Sequence, residues 1–137
     1  MEKYKHIVQY YETDKMGVTH HSNYVRWMEE ARTDFFIKIG FPYEKFEEEG
    51  LISPVVGIDC KFKKGTTFMD EVETEVSVKE YNGIVLKLEF VMTCRGNTVF
   101  IGHSETCFTD TKGNLFRTSN TAPELHKILL SLKANPV

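Results

Sequence analysis

Hydrophobic and polar residues follow two different periods along this chain, and the change of period divides it into a helical part and a strand part. Between residues 24 and 39 the large apolar residues recur at steps of three and four, which is the period of a helix. From residue 55 onward apolar and polar residues alternate, as they do in strands that bury one face. The pattern therefore predicts an α+β domain with an antiparallel sheet.

The predicted helix begins at Ser22 or Asn23, either of which is a suitable N-cap residue, and it ends near Lys38. Gly40 and Pro42 follow it in the order that is common after helices. Its surface is apolar nearly all round, through Tyr24, Trp27, Met28, Ala31, Phe35, Phe36, Ile37 and Ile39. A helix of this character should be wrapped by the sheet.

Five segments are predicted as strands, at residues 3–11, 55–63, 70–80, 84–94 and 98–110. Asn82-Gly83, between the third and the fourth of them, is the strongest hairpin signal in the chain. A short helix is predicted at residues 43–49, and an amphipathic C-terminal helix at about residues 122–133. Because no linker, repeat or low-complexity segment interrupts this order, residues 1–137 are predicted to form a single domain.

A polar loop from Glu12 to His20 runs into the start of the long helix. The loop carries Asp14 and Gly17, and His21 follows it directly. Free backbone N–H groups and the positive end of the helix dipole gather at such a helix start. A carboxylate, two imidazoles and free donors at one point predict a site for chemistry on a carbonyl group. On the pattern alone, Asp14 is more simply explained as a turn residue.

The loop and the helix together resemble the 4-hydroxybenzoyl-CoA thioesterase family of hot-dog-fold enzymes and its acyl-CoA thioesterase relatives. The pattern D-x-x-G-[IV]-x-x-x-x-N-Y-x-x-W, which begins at Asp14, and the later F-F-I-K-I-G-F-P carry the resemblance. It continues at lower density to Thr74 and covers about two thirds of the chain. It implies a sheet of about five antiparallel strands wrapped around a long central helix. It also implies a homodimer or homotetramer with its active site between subunits.

The same resemblance implies hydrolysis of an acyl-CoA to a carboxylic acid and free coenzyme A, without a metal or an organic cofactor. Asp14 would act as nucleophile or general base, and the backbone amide of His21 would hold the thioester oxygen. The His21 side chain is the second catalytic candidate, and a packing or capping histidine is the alternative. The substrate-binding candidates in this region are Gly17, Val18, His20 and Tyr24, of which Tyr24 is first of all a core residue.

Coenzyme A carries phosphates, so cations are expected where it binds. Lys61 and Lys63 lie near the end of a predicted strand and are the candidates, with ordinary surface lysines as the alternative. The hydroxybenzoyl enzymes place a short basic run where this chain has Tyr81-Asn82-Gly83-Ile84. This departure weakens the case for the hydroxybenzoyl substrate itself.

Composition excludes several other classes of protein. The net charge of −3 gives no reason to expect a nucleic-acid partner. No apolar run reaches transmembrane length and the N-terminus lacks the apolar core of a signal peptide, so we expect a cytoplasmic protein without a membrane partner. Cys60, Cys94 and Cys107 are widely spaced and are expected to be reduced thiols. His20 and His21 have no further ligands at suitable spacing, so no metal site is expected.

Two other functions compete with thioester hydrolysis on the same fold. The first is a hydratase or dehydratase of acyl thioesters, which uses other loop patterns. The second is a non-catalytic hot-dog protein that binds acyl-CoA.

Overall fold

A computed structural model describes residues 1–134 and shows a five-stranded antiparallel sheet with helices. The strands are β1 (Tyr4–Ile7), β2 (Val55–Phe62), β3 (Glu71–Tyr81), β4 (Val85–Cys94) and β5 (Asn97–Cys107). The helices are α1 (Ser22–Lys38), α2 (Tyr43–Glu48), α3 (Thr118–Thr121) and α4 (Pro123–Ala134). The spatial order of the strands is β1-β3-β4-β5-β2. The predicted class and the antiparallel pairing are confirmed.

Alternation separates a core face from an outer face throughout β4, and in β3 as far as a bulge between Val78 and Glu80. In β4 every second side chain is buried: Leu86, Leu88, Phe90, Met92 and Cys94. The Asn82-Gly83 turn joins the two strands, with Gly83 at a φ of +87° that suits glycine. The alternation therefore predicts the core face of the central hairpin correctly.

Helix α1 has 17 residues and packs on the core face, chiefly against β3 and β1. Trp27 and Ala31, on the side of α1 that faces the sheet, are fully buried. Val25 and Ile37 are exposed on its other side. In one chain the sheet thus covers one side of α1 and does not enclose it.

The first predicted strand is wrong in its length, because β1 ends at Ile7 and residues 10–12 form a 3₁₀ turn. The carboxylate of Glu12 accepts the backbone N–H of Gln9 at 2.8 Å, and this bond closes the turn. A side chain that binds its own nearby backbone competes with strand pairing. The polar loop consequently begins close to the core and not at the end of an extended strand.

The predicted N-cap is also wrong, because α1 begins at Ser22 and is preceded by His21 in a helical conformation. The side chain of Asn23 does not cap the helix. Its side-chain amide donates to the carbonyl oxygens of Glu12 (2.9 Å) and His20 (3.2 Å). The C-terminal helix is confirmed as α4, and the short α3 before it was not predicted. None of the helices within residues 1–134 is both long and apolar enough to cross a membrane.

Candidate active site

Asp14 begins a tight turn that its own side chain closes. Its Oδ1 accepts the backbone N–H groups of Met16 (2.8 Å) and Val18 (3.3 Å). Its backbone N–H donates to the carbonyl of Val18 at 2.8 Å, and Gly17 donates to the carbonyl of Asp14 at 3.0 Å. Gly17 has a φ of +78°, which a residue with a Cβ adopts only with strain. The turn leaves Asp14 exposed, and its Oδ2 accepts no hydrogen bond from residues 1–134.

A second turn of the same kind lies at Asp110, far along the chain. Its Oδ1 accepts the N–H groups of Lys112 (2.8 Å) and Asn114 (2.9 Å), and Gly113 has a φ of +87°. Here Oδ2 is occupied, because it accepts the side-chain amide of Asn114 at 3.0 Å. These hydrogen bonds, led by those from Asn114, lower the pKa of Asp110. Asp14 therefore differs from its structural counterpart in its free oxygen and in its place beside α1.

The segment after β2 holds the Asp14 turn from one side. The hydroxyl of Thr67 donates to the carbonyl of Gly17 at 2.7 Å, and Val18 forms an isolated β-bridge with Thr67. The N–H of Thr19 donates to the carbonyl of Thr66 at 2.9 Å. Neither Thr66 nor Thr67 stood out in the sequence, since an exposed turn is the simplest explanation of Gly65-Thr66-Thr67.

Glu12 holds the same loop from the other side. Its carbonyl accepts the N–H of His20 at 2.8 Å and the side-chain amide of Asn23 at 2.9 Å. Its carboxylate is only 5% exposed and lies 2.8 Å from Nε2 of His6 and 2.8 Å from the indole nitrogen of Trp27. Sequence reasoning missed Glu12, because nothing local distinguishes it from other acidic residues of a polar loop.

The buried carboxylate of Glu12 is stabilised in its charged form. Burial alone raises the pKa of this group, but hydrogen bonds from the Gln9 amide, the His6 ring and the Trp27 indole outweigh it. The net result is a pKa below the ordinary value of about 4.5. Glu12 therefore links β1, the loop and α1 as an anion, and its oxygens are taken up by the protein.

The start of α1 presents a free donor near the Asp14 turn. Within residues 1–134, the backbone N–H of His21 donates to no protein acceptor, and His21 is exposed. The next N–H, of Ser22, is directed at Nδ1 of His20 at 3.2 Å. The rings of His20 and His21 stack with centroids 4.3 Å apart. A ligand oxygen at this helix start would meet the His21 amide and the positive end of the helix dipole.

Tyr24 is a core residue with one polar contact to the segment after β2. Its ring stacks on Phe100 at 5.3 Å and meets the edge of Phe62 at 5.5 Å, and its hydroxyl lies 3.0 Å from that of Thr66. Burial raises the pKa of Tyr24, so its hydroxyl stays protonated at neutral pH. Phe62 also lies edge-on to His21 at 6.2 Å. This half-exposed phenylalanine was not selected as a site residue from the sequence, although the alternation of side chains along β2 places it on the face toward α1.

An apolar groove runs between α1 and β2. It has a volume of about 450 Å³ and is lined by Val25, Met28, Val56 and Ile58 among others. Val25 is one turn from the first residue of α1, so the groove begins close to the His21 amide. The groove is therefore placed to receive an apolar group attached to a carbonyl held there.

The two lysines predicted to bind coenzyme A, Lys61 and Lys63, lie at the end of β2. Strand alternation places Lys61 on the face opposite to Phe62, the face on which Asp59 contacts His103 at 2.8 Å. Lys63 follows the strand, and its backbone donates to the carbonyl of Val99 at 2.8 Å. Within one chain, the side chain of Lys61 therefore lies on the opposite face of β2 from that of Phe62. The binding of coenzyme A by Lys61 and Lys63 stays a prediction.

Comparison with known proteins identifies the family of this chain. Residues 8–131 match the sequence profile of the thioesterase-like superfamily. Because the match spans most of the chain, this protein belongs to that superfamily. The resemblance to hot-dog thioesterases seen in the sequence is confirmed.

Individual relatives give the same result. Acyl-CoA thioesterase YneP of Bacillus subtilis, a provisional name, is 40% identical over 76 residues, 56% of this chain and 55% of that protein. The 4-hydroxybenzoyl-CoA thioesterase of Pseudomonas sp. strain CBS-3 is 27% identical over 77 residues, 54% of this chain and 55% of that enzyme. Each alignment spans little more than half of the relative's length. The crystal structure of a DHNA-CoA thioesterase from Staphylococcus aureus superposes with a TM-score of 0.92 at 28% identity, covering 97% of this chain and 91% of that chain.

Proposed function

We propose that this protein is an acyl-CoA thioesterase that hydrolyses its substrate to a carboxylic acid and free coenzyme A, without a metal or an organic cofactor. One observation carries the proposal. Asp14 is an exposed carboxylate fixed through Oδ1, with Oδ2 free of protein donors, next to a helix start whose His21 amide is unpaired. A nucleophile or base beside an oxyanion donor is the arrangement that acyl transfer requires.

The chemistry assigns a separate task to each group. The His21 amide and the dipole of α1 stabilise the negative charge that develops on the thioester oxygen. Oδ2 of Asp14 attacks the carbonyl carbon, the C–S bond breaks, and coenzyme A leaves as a thiolate that takes up a proton. Water then cleaves the mixed anhydride to the acid and regenerates Asp14. In the alternative route, Asp14 removes a proton from the water that attacks the thioester directly.

The groove between α1 and β2 is the proposed site of the acyl group. Its lining is mainly apolar, and it begins one helical turn from the His21 amide. We assign Phe62 to the loop end of this site, because its ring lies edge-on to His21 at 6.2 Å. Gly17, Val18 and His20 remain predicted substrate contacts on the neighbouring loop. Two of the relatives are named for 4-hydroxybenzoyl-CoA and DHNA-CoA. Substrates of this kind belong in the first panel, beside aliphatic acyl-CoAs.

We further propose a homodimer formed through β2. This edge strand pairs with β5 on one side and, within residues 1–134, with no strand on the other. It exposes Val56 (60%) and Ile58 (49%). An apolar unpaired edge invites pairing with another strand, and a second copy of β2 would satisfy it symmetrically. Such a dimer would close the groove over the acyl group.

The test of the function is thioester hydrolysis by wild type and by Asp14→Asn. Asparagine keeps an oxygen that accepts the Met16 and Val18 amides, so the turn and the fold should persist. It supplies neither a nucleophilic carboxylate nor a base, so we expect turnover to fall by about a hundredfold or more. The measurement is free-thiol release from a panel of short, long and aromatic acyl-CoAs.

The chain supplies a matched control in Asp110→Asn. This substitution makes the same chemical change in the same kind of turn, away from α1, and should leave turnover unchanged. Near wild-type turnover in Asp14→Asn would remove Asp14 from the reaction. Equal losses of turnover in both variants would mean that asparagine disturbs this kind of turn, and the loss in Asp14→Asn would then not be due to the missing carboxylate.

A further inference from the structure

The Asp14 turn has an external support that fixes it to the sheet. The local bonds of this turn are those of the Asp110 turn, so they cannot by themselves decide where the carboxylate lies relative to α1. The hydroxyl of Thr67 donates to the carbonyl of Gly17 at 2.7 Å, directly within the turn. The β-bridge between Val18 and Thr67 holds the next residue. Thr67 is 50 residues away in sequence from the carbonyl that it binds.

Thr67 is itself fixed by a buried carboxylate. Its backbone N–H donates to Oδ2 of Asp70 at 2.9 Å, and the N–H of Asp70 returns to the carbonyl of Thr67 at 3.1 Å. Asp70 is only 5% exposed, and its Oδ1 lies 2.6 Å from Nη2 of Arg95. The Oδ2 of this buried side chain is satisfied by the Thr67 N–H, and Arg95 approaches its Oδ1 from the solvent side. The support of the turn thus reaches from the catalytic loop to the β4–β5 hairpin.

We propose that Thr67 is a positioning residue for Asp14, acting through the carbonyl of Gly17, and that Asp70 holds Thr67 in place. The proposal rests on the thioesterase function proposed above, because it assigns Asp14 the reacting oxygen. Thr67 does not touch the reacting atoms. Its contribution is to keep the Asp14 carboxylate at a fixed distance from the His21 amide, and a displacement of about 1 Å at a reacting group can reduce the rate about a hundredfold.

The central comparison is Thr67→Val against Thr67→Ser. Valine has the shape of threonine but no hydroxyl, so it loses the bond to Gly17 and keeps the backbone bridge to Val18. Serine retains the hydroxyl. We expect kcat to fall about 10- to 100-fold in Thr67→Val with KM changed less than about twofold, and to return to near the wild-type value in Thr67→Ser. The melting temperature should stay close to that of wild type in both.

Thr33→Val is the matched control. The hydroxyl of Thr33 also donates to a backbone carbonyl, that of Glu29 at 3.0 Å, but on α1 and away from the loop. This variant loses the same kind of bond and should keep the wild-type kcat. A wild-type kcat in Thr67→Val, or a loss that Thr67→Ser does not repair, would overturn the proposal.

Amide hydrogen exchange tests the same inference without relying on activity. In Thr67→Val the amides of Gly17 and Val18 should exchange about tenfold faster or more, and in Thr67→Ser and Thr33→Val at the wild-type rate. Asp70→Ala should speed exchange at Thr67 and at the same two amides. Unchanged exchange in Thr67→Val would refute the positioning role whatever the enzyme does. Faster exchange in a protein that hydrolyses no thioester would uphold the support and refute the proposed function instead.

Discussion

The structure of the Asp14 turn is compatible with both explanations that the sequence allows for Asp14, a turn-forming residue and a catalytic carboxylate. It forms the turn that Asp before glycine commonly forms, and Asp110 shows that the same residues build the same turn elsewhere in the chain. Asp14 differs from Asp110 in two respects: its Oδ2 accepts no hydrogen bond from residues 1–134, and it lies beside the start of α1. A turn-forming aspartate and a catalytic one are therefore not exclusive, because one carboxylate oxygen suffices for each task.

The amide of His21 offers the sharpest prediction at this scale. His21 has a φ of −56°, which proline also adopts, and its N–H makes no bond within residues 1–134 that proline would remove. His21→Pro should therefore fold but lose the proposed oxyanion donor, with kcat lower by about 10²- to 10³-fold. His21→Ala keeps the N–H and should lose less than about tenfold.

Steady-state kinetics of the two variants, with circular dichroism to verify folding, provide the measurement. Equal activity in His21→Pro and His21→Ala would exclude the backbone amide as the donor. A larger loss in His21→Ala would assign the role to the imidazole instead.

At the scale of elements, the loop is held between β1, α1 and the segment after β2. Glu12 makes the first two of these connections through bonds to His6 and Trp27. Its carboxylate is buried and bonded on both oxygens, so it contributes to the fold and not to the reaction. The exposed carboxylate two residues later is left for chemistry. The loop thus contains one structural acidic residue, Glu12, and one acidic residue, Asp14, that is proposed to act on the substrate.

Glu12→Gln should lower the free energy of unfolding at pH 7 by about 1–3 kcal/mol, since hydrogen bonds to a charged group are lost. The folded pKa of Glu12 lies below its ordinary value of about 4.5. Its stabilising effect is therefore fully present above about pH 4.5 and disappears as the pH falls through the folded pKa. The difference between wild type and Glu12→Gln should narrow over that acidic range.

Urea unfolding of both proteins at a series of pH values measures this difference. Glu75→Gln, a change at an exposed position of β3, is the control and should have a small effect that does not follow this pH dependence. A difference between wild type and Glu12→Gln that stays constant from pH 7 to pH 3 would contradict the role given to the charge of Glu12.

At the scale of the whole molecule, the two surfaces of the sheet differ in character. The outer face carries hydrogen-bonded and ion-paired side chains, such as His103 with Asp59 (2.8 Å) and with Glu89 (2.9 Å), and Lys87 near Glu105 (3.8 Å). Polar and ionic groups of this kind are stabilised by water, so burial of that face against another sheet is unfavourable. The opposite face of the edge strand β2 is apolar instead and exposes Val56 and Ile58. The proposed assembly is therefore edge to edge, and a dimer is favoured over a tetramer stacked through its sheets.

Sedimentation of wild type should give the mass of a dimer. Ile58→Lys places a charge on the proposed interface and should shift the mass toward that of a monomer, with thioesterase activity lowered because the groove is no longer closed. Leu130→Lys changes an equally exposed apolar residue on α4, which packs near β3, and should sediment as wild type. A monomeric wild type would refute the dimer.

The sequence by itself determined the features that depend on neighbouring residues. The limits of α1, the alternating faces of β3 and β4 and the Asn82-Gly83 turn follow from periodicity and turn chemistry within a few residues. The adjacency of the Asp14 loop to the start of α1 is likewise a matter of chain order.

Only the tertiary structure decided which distant residues support that loop. Thr67 binds Gly17 across 50 residues, Tyr24 meets Thr66 across 42, and β1 pairs with β3 instead of with its neighbour in sequence. Such contacts depend on how the sheet is ordered and where α1 lies upon it. No local pattern encodes them, because a threonine that supports the Asp14 turn has the same chemistry as a threonine in any exposed turn.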